Sequence, residues 1–239
     1  MTWSLLAHDR ARGAFAVAVT TCALAVGASC PFVRRGVGAV STQSITNRYL
    51  GPAVLDGLAR GLAPAEAIEA SLVGDAGKHL RQVHALDMHG RSAAWTGAHC
   101  VEWCGSLEGS GFSLAGNMLA GPDVLAYTRD AFLAHGDTPL AERMLTALQA
   151  GEAAGGDRRG RQSAAIQLIT VEDFPELDLR VDDHAAPLDE LARLLAMWRR
   201  DREPMLSRMP GRTNPSGSTD LDAFERGWAA RGLDLRFRR

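Results

Sequence analysis

Residues 14–21 read Ala-Phe-Ala-Val-Ala-Val-Thr-Thr. Phe15, Val17 and Val19 alternate with alanines, the period of two that belongs to a β-strand. One face is bulky and the other is all alanine. An alanine face lets another layer approach closely, so the strand is expected to be covered on both sides.

The neighbouring segments supply the layers. Residues 2–7 read as a strand, and 9–12 as the connection of a hairpin. Residues 37–42 read as a third strand after a glycine-flanked turn at Arg34, Arg35 and Gly36. Helices are expected at 52–60 and 64–73, with Pro64 at a first helical position and Gly74 ending the pattern. A hairpin at 81–87 and 92–96 turns at Met88-His89-Gly90, and a strand or pair lies within 99–115. Helices return at 123–134 and 139–150, with Thr138 as N-cap. Residues 163–171 close the series as a strand. Strands and helix pairs come in blocks, which argues against a doubly wound parallel sheet. The expectation is an α+β fold of mainly antiparallel sheets with helix pairs outside. It occupies residues 1–175, followed by a helical extension at 176–239. There Leu188, Leu191, Leu195 and Trp198 share a helix face. Residues 204–218 are rich in Pro, Gly and Ser, and Leu221, Phe224 and Trp228 mark one more short amphipathic helix.

Charge narrows the function classes. Lys and Arg total 26 against 28 Asp and Glu, a formal charge of −2. No whole-chain basic footprint for nucleic acid or an anionic membrane exists, so nucleic acid is not an expected partner. Apolar residues at 46% are enough to oppose chain entropy, which excludes disorder as the main state. No apolar run reaches membrane-spanning length, and the start has no basic segment ahead of an apolar one. Four cysteines, Cys22, Cys30, Cys100 and Cys104, make no disulfide framework. They read as small buried hydrophobes with free thiols in a cytoplasmic protein. Lys78 is the one lysine. His79, His84 and His89 recur every five residues, which is no one-face helical spacing, and neither a metal nor another cofactor is expected. Phosphate loops, dinucleotide fingerprints, nucleophile elbows and H-E-x-x-H are all missing.

Three stretches carry possible chemistry. Thr2 becomes terminal if Met1 is removed, which places a hydroxyl beside an α-amine titrating near ~7.7–8.0. A β-branched strand residue is the structural alternative. Asn117, in Gly116-Asn117-Met118-Leu119, could donate to an oxyanion, or could hold a left-handed turn. Asp157, Arg158, Arg159 and Arg161 crowd the segment before Ser163, where arginine forks suit a carboxylate and an exposed polar loop is the plainer reading.

Taken in order, these blocks carry a family resemblance. They are Thr2-Trp3-Ser4-Leu5-Leu6-Ala7, Ala25-Val26-Gly27 with Pro31, and residues 35–43 ending Ser41-Thr42-Gln43, with Asn47 following. Asp87, Gly90-Arg91, Thr96-Gly97, the Asn117 block and Gly155-Gly156-Asp157-Arg158-Arg159-Gly160-Arg161-Gln162-Ser163 complete the set. The sequence resembles the bacterial family known as domain of unknown function 1028, which is similar to a branch of the N-terminal nucleophile hydrolases. The resemblance implies a four-layer αββα sandwich. It also implies hydrolysis of an amide or enamide C–N bond in a small carboxylate-bearing metabolite. By position it makes Thr2 the nucleophile and Asn117 the oxyanion or substrate donor. Asp157, Arg158, Arg159 and Arg161 would orient the terminus or grip a carboxylate, and Thr42, Gln43 and Asn47 would line the same cleft. The proteasome branch uses a lysine near the nucleophile, where this chain has Arg34 and Arg35. An arginine cannot act as a neutral base. Trp95 stands where relatives tend to carry a polar residue. A homodimer is expected. The alternative function is a ligand-binding or assembly protein on the same fold, and a thiol hydrolase using Cys30 or Cys104 ranks behind both.

Overall fold

The computed structural model describes residues 2–237. The chain divides into two compact units, Met1–Leu195 and Ala196–Arg239. In the first, β1 (Thr2–Asp9) and β2 (Ala14–Thr21) form a hairpin at the centre of a six-stranded antiparallel sheet. A second antiparallel sheet holds β3 (Pro31–Arg34), β4 (Gly38–Ser44), β5 (Arg81–Asp87) and β6 (Ser92–Thr96) in that order. The larger sheet continues on one side of the hairpin through β8 (Phe112–Asn117) to β7 (Gly105–Gly109). On the other it runs through β9 (Ser163–Ile169) to β10 (Leu177–Val181).

The doubly apolar strand behaves as its alternation requires: all eight residues of β2 are buried. Its bulky face meets the smaller sheet, where Phe15 and Val17 cluster with Leu6, Ala39, Leu86 and Ile169. Its alanine face turns to the helices. Helices α1 (Leu50–Ala59) and α2 (Pro64–Leu72) cover the smaller sheet, packing Val54, Leu55 and Ile68 on Val40 and Val83. Helices α3 (Asp123–Ala134) and α4 (Leu140–Ala153) cover the larger one. The result is a four-layer αββα sandwich, the α+β architecture expected. Helix α5 (Pro187–Asp201) begins in this unit and buries Leu188, Leu191 and Leu195. In the second unit, α6 (Glu203–Leu206) precedes α7 (Leu221–Ala229), whose N-cap Asp220 accepts from Ala223 N–H at 2.9 Å. Phe224, Trp228 and Phe237 pack there with tilted and edge-on rings.

Some expectations need correction. β3 and β10 were not foreseen; both are short edge strands, and β3 starts on a proline that an edge tolerates. Thr138 does not cap α4, because Pro139 holds that position and no side chain caps the helix. Cys22 and Cys104 are half-exposed, while Cys30 and Cys100 are buried and all four thiols are free.

Helices α3 and α4 meet closely at Gly151. A Cβ there would strike Thr128 Oγ1 and come within 3.0 Å of Val124 O. Thr128 Oγ1 is fixed by its own bond to Val124 O at 2.7 Å. Gly151→Ala gains up to about 1 kcal/mol of helix propensity, but overpacking costs about 1–3 kcal/mol. The variant is expected to be net destabilised, read as a lower urea midpoint with an unchanged slope.

Candidate active site at one end of the sandwich

Thr2 opens the central strand β1 and is only 6% exposed. Register places it opposite Asn117 of β8. On the β2 side, Thr2 Oγ1 donates to Thr21 Oγ1 at 3.2 Å. Alternation along β1 sends Thr2, Ser4 and Leu6 toward the smaller sheet, while Trp3 and Leu5 face the helices.

Between the sheets, beside Thr2, lies a polar layer rather than an apolar one. Gln82 Nε2 donates to Gly116 O at 2.8 Å, and also contacts Thr96 Oγ1 and Gly105 O. Those carbonyls fix which end of the amide is nitrogen. Gln82 Oε1 must then accept, from Gln43 Nε2 at 2.8 Å and Asn117 Nδ2 at 2.9 Å. Both donors also reach Thr2 O, at 3.3 and 3.4 Å. The Thr2 carbonyl is therefore held by two carboxamides from opposite sheets. Among the described residues, Asn117 Oδ1 is left buried without a partner. Asn117 as placed offers an acceptor, and its amide nitrogen is already engaged.

The same layer continues inward. Ser4 Oγ donates to Gln43 Oε1 at 2.8 Å and lies 2.7 Å from His84 Nε2. With its one hydrogen given to Gln43, Ser4 accepts from Nε2–H, and His84 Nδ1 accepts from Ser113 Oγ at 2.9 Å. This is a structural pair, since the serine proton points away from the imidazole. Ser4, Gln82, His84 and Ser113 were not singled out from the sequence as functional. Their only signal was polar residues at strand positions that alternate with apolar ones.

Asp157 sits in the segment after α4, its carboxylate buried. It accepts Cys22 N–H at 2.8 Å, Arg159 N–H at 2.8 Å and Arg159 Nη2 at 3.3 Å. It thus pins the 157–163 segment to the strand end beyond Thr21. Arg161 pairs with Glu152 at 3.1 Å. Burial raises the Glu152 carboxyl and Arg161 opposes the shift. These two line a slot of about 120 Å3 with Trp3 and Thr20, on the helix side of β1 and β2. Arg158 makes no ion pair among the described residues, and its N–H bonds Met118 O at 3.4 Å.

Other expected lining residues are placed elsewhere. Thr42 faces the helix layer, opposite to Gln43, and its Oγ1 donates to Asn47 O at 3.2 Å. Asn47 Nδ2 donates to Asp75 Oδ2 at 2.9 Å, in a cluster where Arg81 holds the Asp75 carboxyl down to about 2. Arg34 and Arg35 pair with Asp56 and Asp173. Arg34 lies opposite Gly38, at the far end of its sheet from Gln43. The non-glycine residues with left-handed backbone among the described ones, Ala25, Ser44 and Met118, all lie at or beyond strand ends on this side (φ 55°, 71° and 54°). Strain of about 1–3 kcal/mol each is a common mark of functional sites.

The sequence matches the model of a family described as "Family of unknown function (DUF1028)" over residues 2–191. The chain belongs to that family. It is similar to the crystal structure of protein SPO2555 from Silicibacter pomeroyi, of the same family model, at 30% identity. That alignment covers 92% of this chain and 96% of the other, with a TM-score of 0.85. Anbu (ancestral beta-subunit) from Yersinia bercovieri aligns over 87% of this chain and 98% of that one, at 12% identity and a TM-score of 0.38, too loose to bear on mechanism. No curated protein matches the sequence. Among the described residues, no helix of this DUF1028 chain is long and apolar enough to cross a membrane.

Burial pushes the His84 imidazole from 6.5 down to about 3. In that interval the unfolded chain binds the proton and the folded chain does not. The stability of the neutral ring is therefore complete above about 6.5 and is lost as pH falls toward 3. From pH 7 to pH 5 this amounts to about 2 kcal/mol. His84→Gln is expected to remove that part of the pH dependence, seen by comparing urea unfolding of both proteins at the two pH values.

Proposed function

We propose that this DUF1028 protein is an amidohydrolase whose nucleophile is Thr2, acting on an amide or enamide C–N bond in a small metabolite with a carboxylate. The observation that carries the reading is the setting of Thr2. Its hydroxyl lies against Thr21 and its carbonyl is clamped by Gln43 and Asn117. The reading requires removal of Met1, which lies outside the described residues.

In the mechanism, the Thr2 α-amine accepts the hydroxyl proton as Oγ bonds to the substrate carbonyl carbon. The tetrahedral intermediate collapses, the C–N bond breaks, and the proton passes to the leaving nitrogen. Water then attacks the ester on Thr2 and releases the acid. Asn117 supports this through Oδ1, an acceptor suited to an N–H of the terminal amine or of the scissile amide. An oxyanion donor from Asn117 requires Nδ2 to leave Gln82 or Thr2 O. Asp157 acts as a positioning residue, through Cys22 and the Thr21 strand end. Of the three arginines, Arg158 suits a substrate carboxylate, because Arg159 and Arg161 already hold acids. Gln43 belongs to the clamp; Thr42 and Asn47 contribute behind it. The thiol route is weaker. Burial raises Cys30 to about 11 and also raises Cys104, so both keep their protons near neutral pH.

A homodimer in the cytoplasm goes with this reading. The burial of Thr2 favours, as a second reading, a ligand-binding or assembly protein on the same fold. Intact mass of untagged protein and a panel of carboxylate-bearing amides separate the two. The hydrolase reading expects loss of Met1 and turnover that rises through pH ~7.7–8.0. Thr2→Ala is expected to lower turnover about 10³-fold or more with the fold intact, and Thr2→Ser to retain part of it. Retained Met1 with no turnover supports the second reading.

A further inference from the structure

Seven residues along β1 from Thr2, about 23 Å at strand rise, the strand ends in a different setting. The β1–β2 turn, the β7–β8 turn at Ser110–Gly111 and the α3–α4 loop enclose a cavity of about 480 Å3. That volume falls among those of small-molecule sites, ~300–1,000 Å3.

Its charges are unevenly paired. Arg12 and Asp9 neutralise each other at 3.1 Å, and Asp9 also accepts the N–H groups of Ala11 and Arg12. Arg143, on the first turn of α4, is different. Its guanidinium carbon lies 3.7 Å from the Phe132 ring centroid, and its Nε donates to Phe132 O at 2.6 Å. It makes no ion pair among the described residues. Burial pulls its pKa down, with Asp9 as the one opposing charge. Arg10, lining the same cavity, makes no ion pair among them either. The remaining lining acid is Asp137, on the exposed α3–α4 loop.

A guanidinium held over an aromatic ring is fixed in direction, and part-burial without a counter-ion is unfavourable. The Nη groups of Arg143 remain available as a donor fork. We propose that this cavity is a binding site for a small anion, which presents a carboxylate or a phosphate group to Arg143 and Arg10. The site is independent of the Thr2 reading, since it shares no residue with that strand end.

Thermal unfolding and calorimetry of the full chain test this, with inorganic phosphate and succinate as probes at constant ionic strength. At least one probe is expected to raise the midpoint saturably, and which one does so tells phosphate from carboxylate recognition. Arg143→Gln and Arg10→Gln are each expected to raise the half-saturating concentration about tenfold or more, the scale of one lost charge-assisted hydrogen bond. Thr2→Ala is expected to leave it unchanged. Should Arg143→Gln lose its fold with the Phe132 contact, exposed Arg10→Gln carries the test. No saturable shift with either probe, a shift that follows ionic strength alone, or arginine variants that respond like the parent overturn the proposal.

Discussion

The carboxamide of Gln82 is fully buried between two sheets, where an unmet polar group costs more than any single apolar contact returns. Its partners come from both sides: Gln43 and Thr96 in the smaller sheet, Gly105, Gly116 and Asn117 in the larger. One side chain thereby fixes the spacing and register of the sheets at the Thr2 end. Slipping β4 or β8 by one residue within its own sheet would send Gln43 or Asn117 to the opposite face and leave the amide unmet. At the other end Leu6, Phe15, Val17 and Leu86 close the gap with apolar contacts, which are non-directional. The sandwich is specified by polar geometry at one end and filled by packing at the other.

That division explains what the sequence reveals. Alternation in 14–21 announces a strand covered on both faces, and the blocked order of elements leads to antiparallel sheets with helix pairs outside. Periodicity sees hydrophobic faces, so the hairpin at 81–87 and 92–96 and the helix at 123–134 are legible to the residue. The equally short β6 is legible because a turn at 88–90 joins it to β5 as a hairpin, whereas β10 is a short edge with no such turn signal to mark it, and β3 is a shorter one that opens on a proline. The polar layer is hidden for a related reason. Ser4, Gln43, Gln82 and His84 occupy positions that period-two reasoning assigns to a solvated face. Only the stacking of a second sheet, a long-range event, makes those positions interior.

The candidate site is legible in part by the same logic. Thr2 and Asn117 meet because strand pairing aligns them, and Asp157 binds the strand end beyond Thr21. Thr42 and Gln43 are adjacent in sequence, so strand alternation had to send one of them to the helices. The three arginines look equivalent as a string, yet Asp157 and Glu152 engage two of them and leave Arg158 beside Met118. Charge counting cannot make that distinction, because it depends on where two acids fall in space.

The pairing of β1 with β8 has a consequence for biogenesis. Its hairpin partner β2 follows within a few residues, but β8 is synthesised roughly a hundred residues later. At ~5–20 residues per second that delay is on the order of ten seconds. Until β8 emerges, one edge of β1 is unpaired and Asn117 does not yet face Thr2. During that interval the Thr2 end of β1 lacks the neighbour that later holds its carbonyl, so this strand end reaches its final surroundings only when the sheet closes.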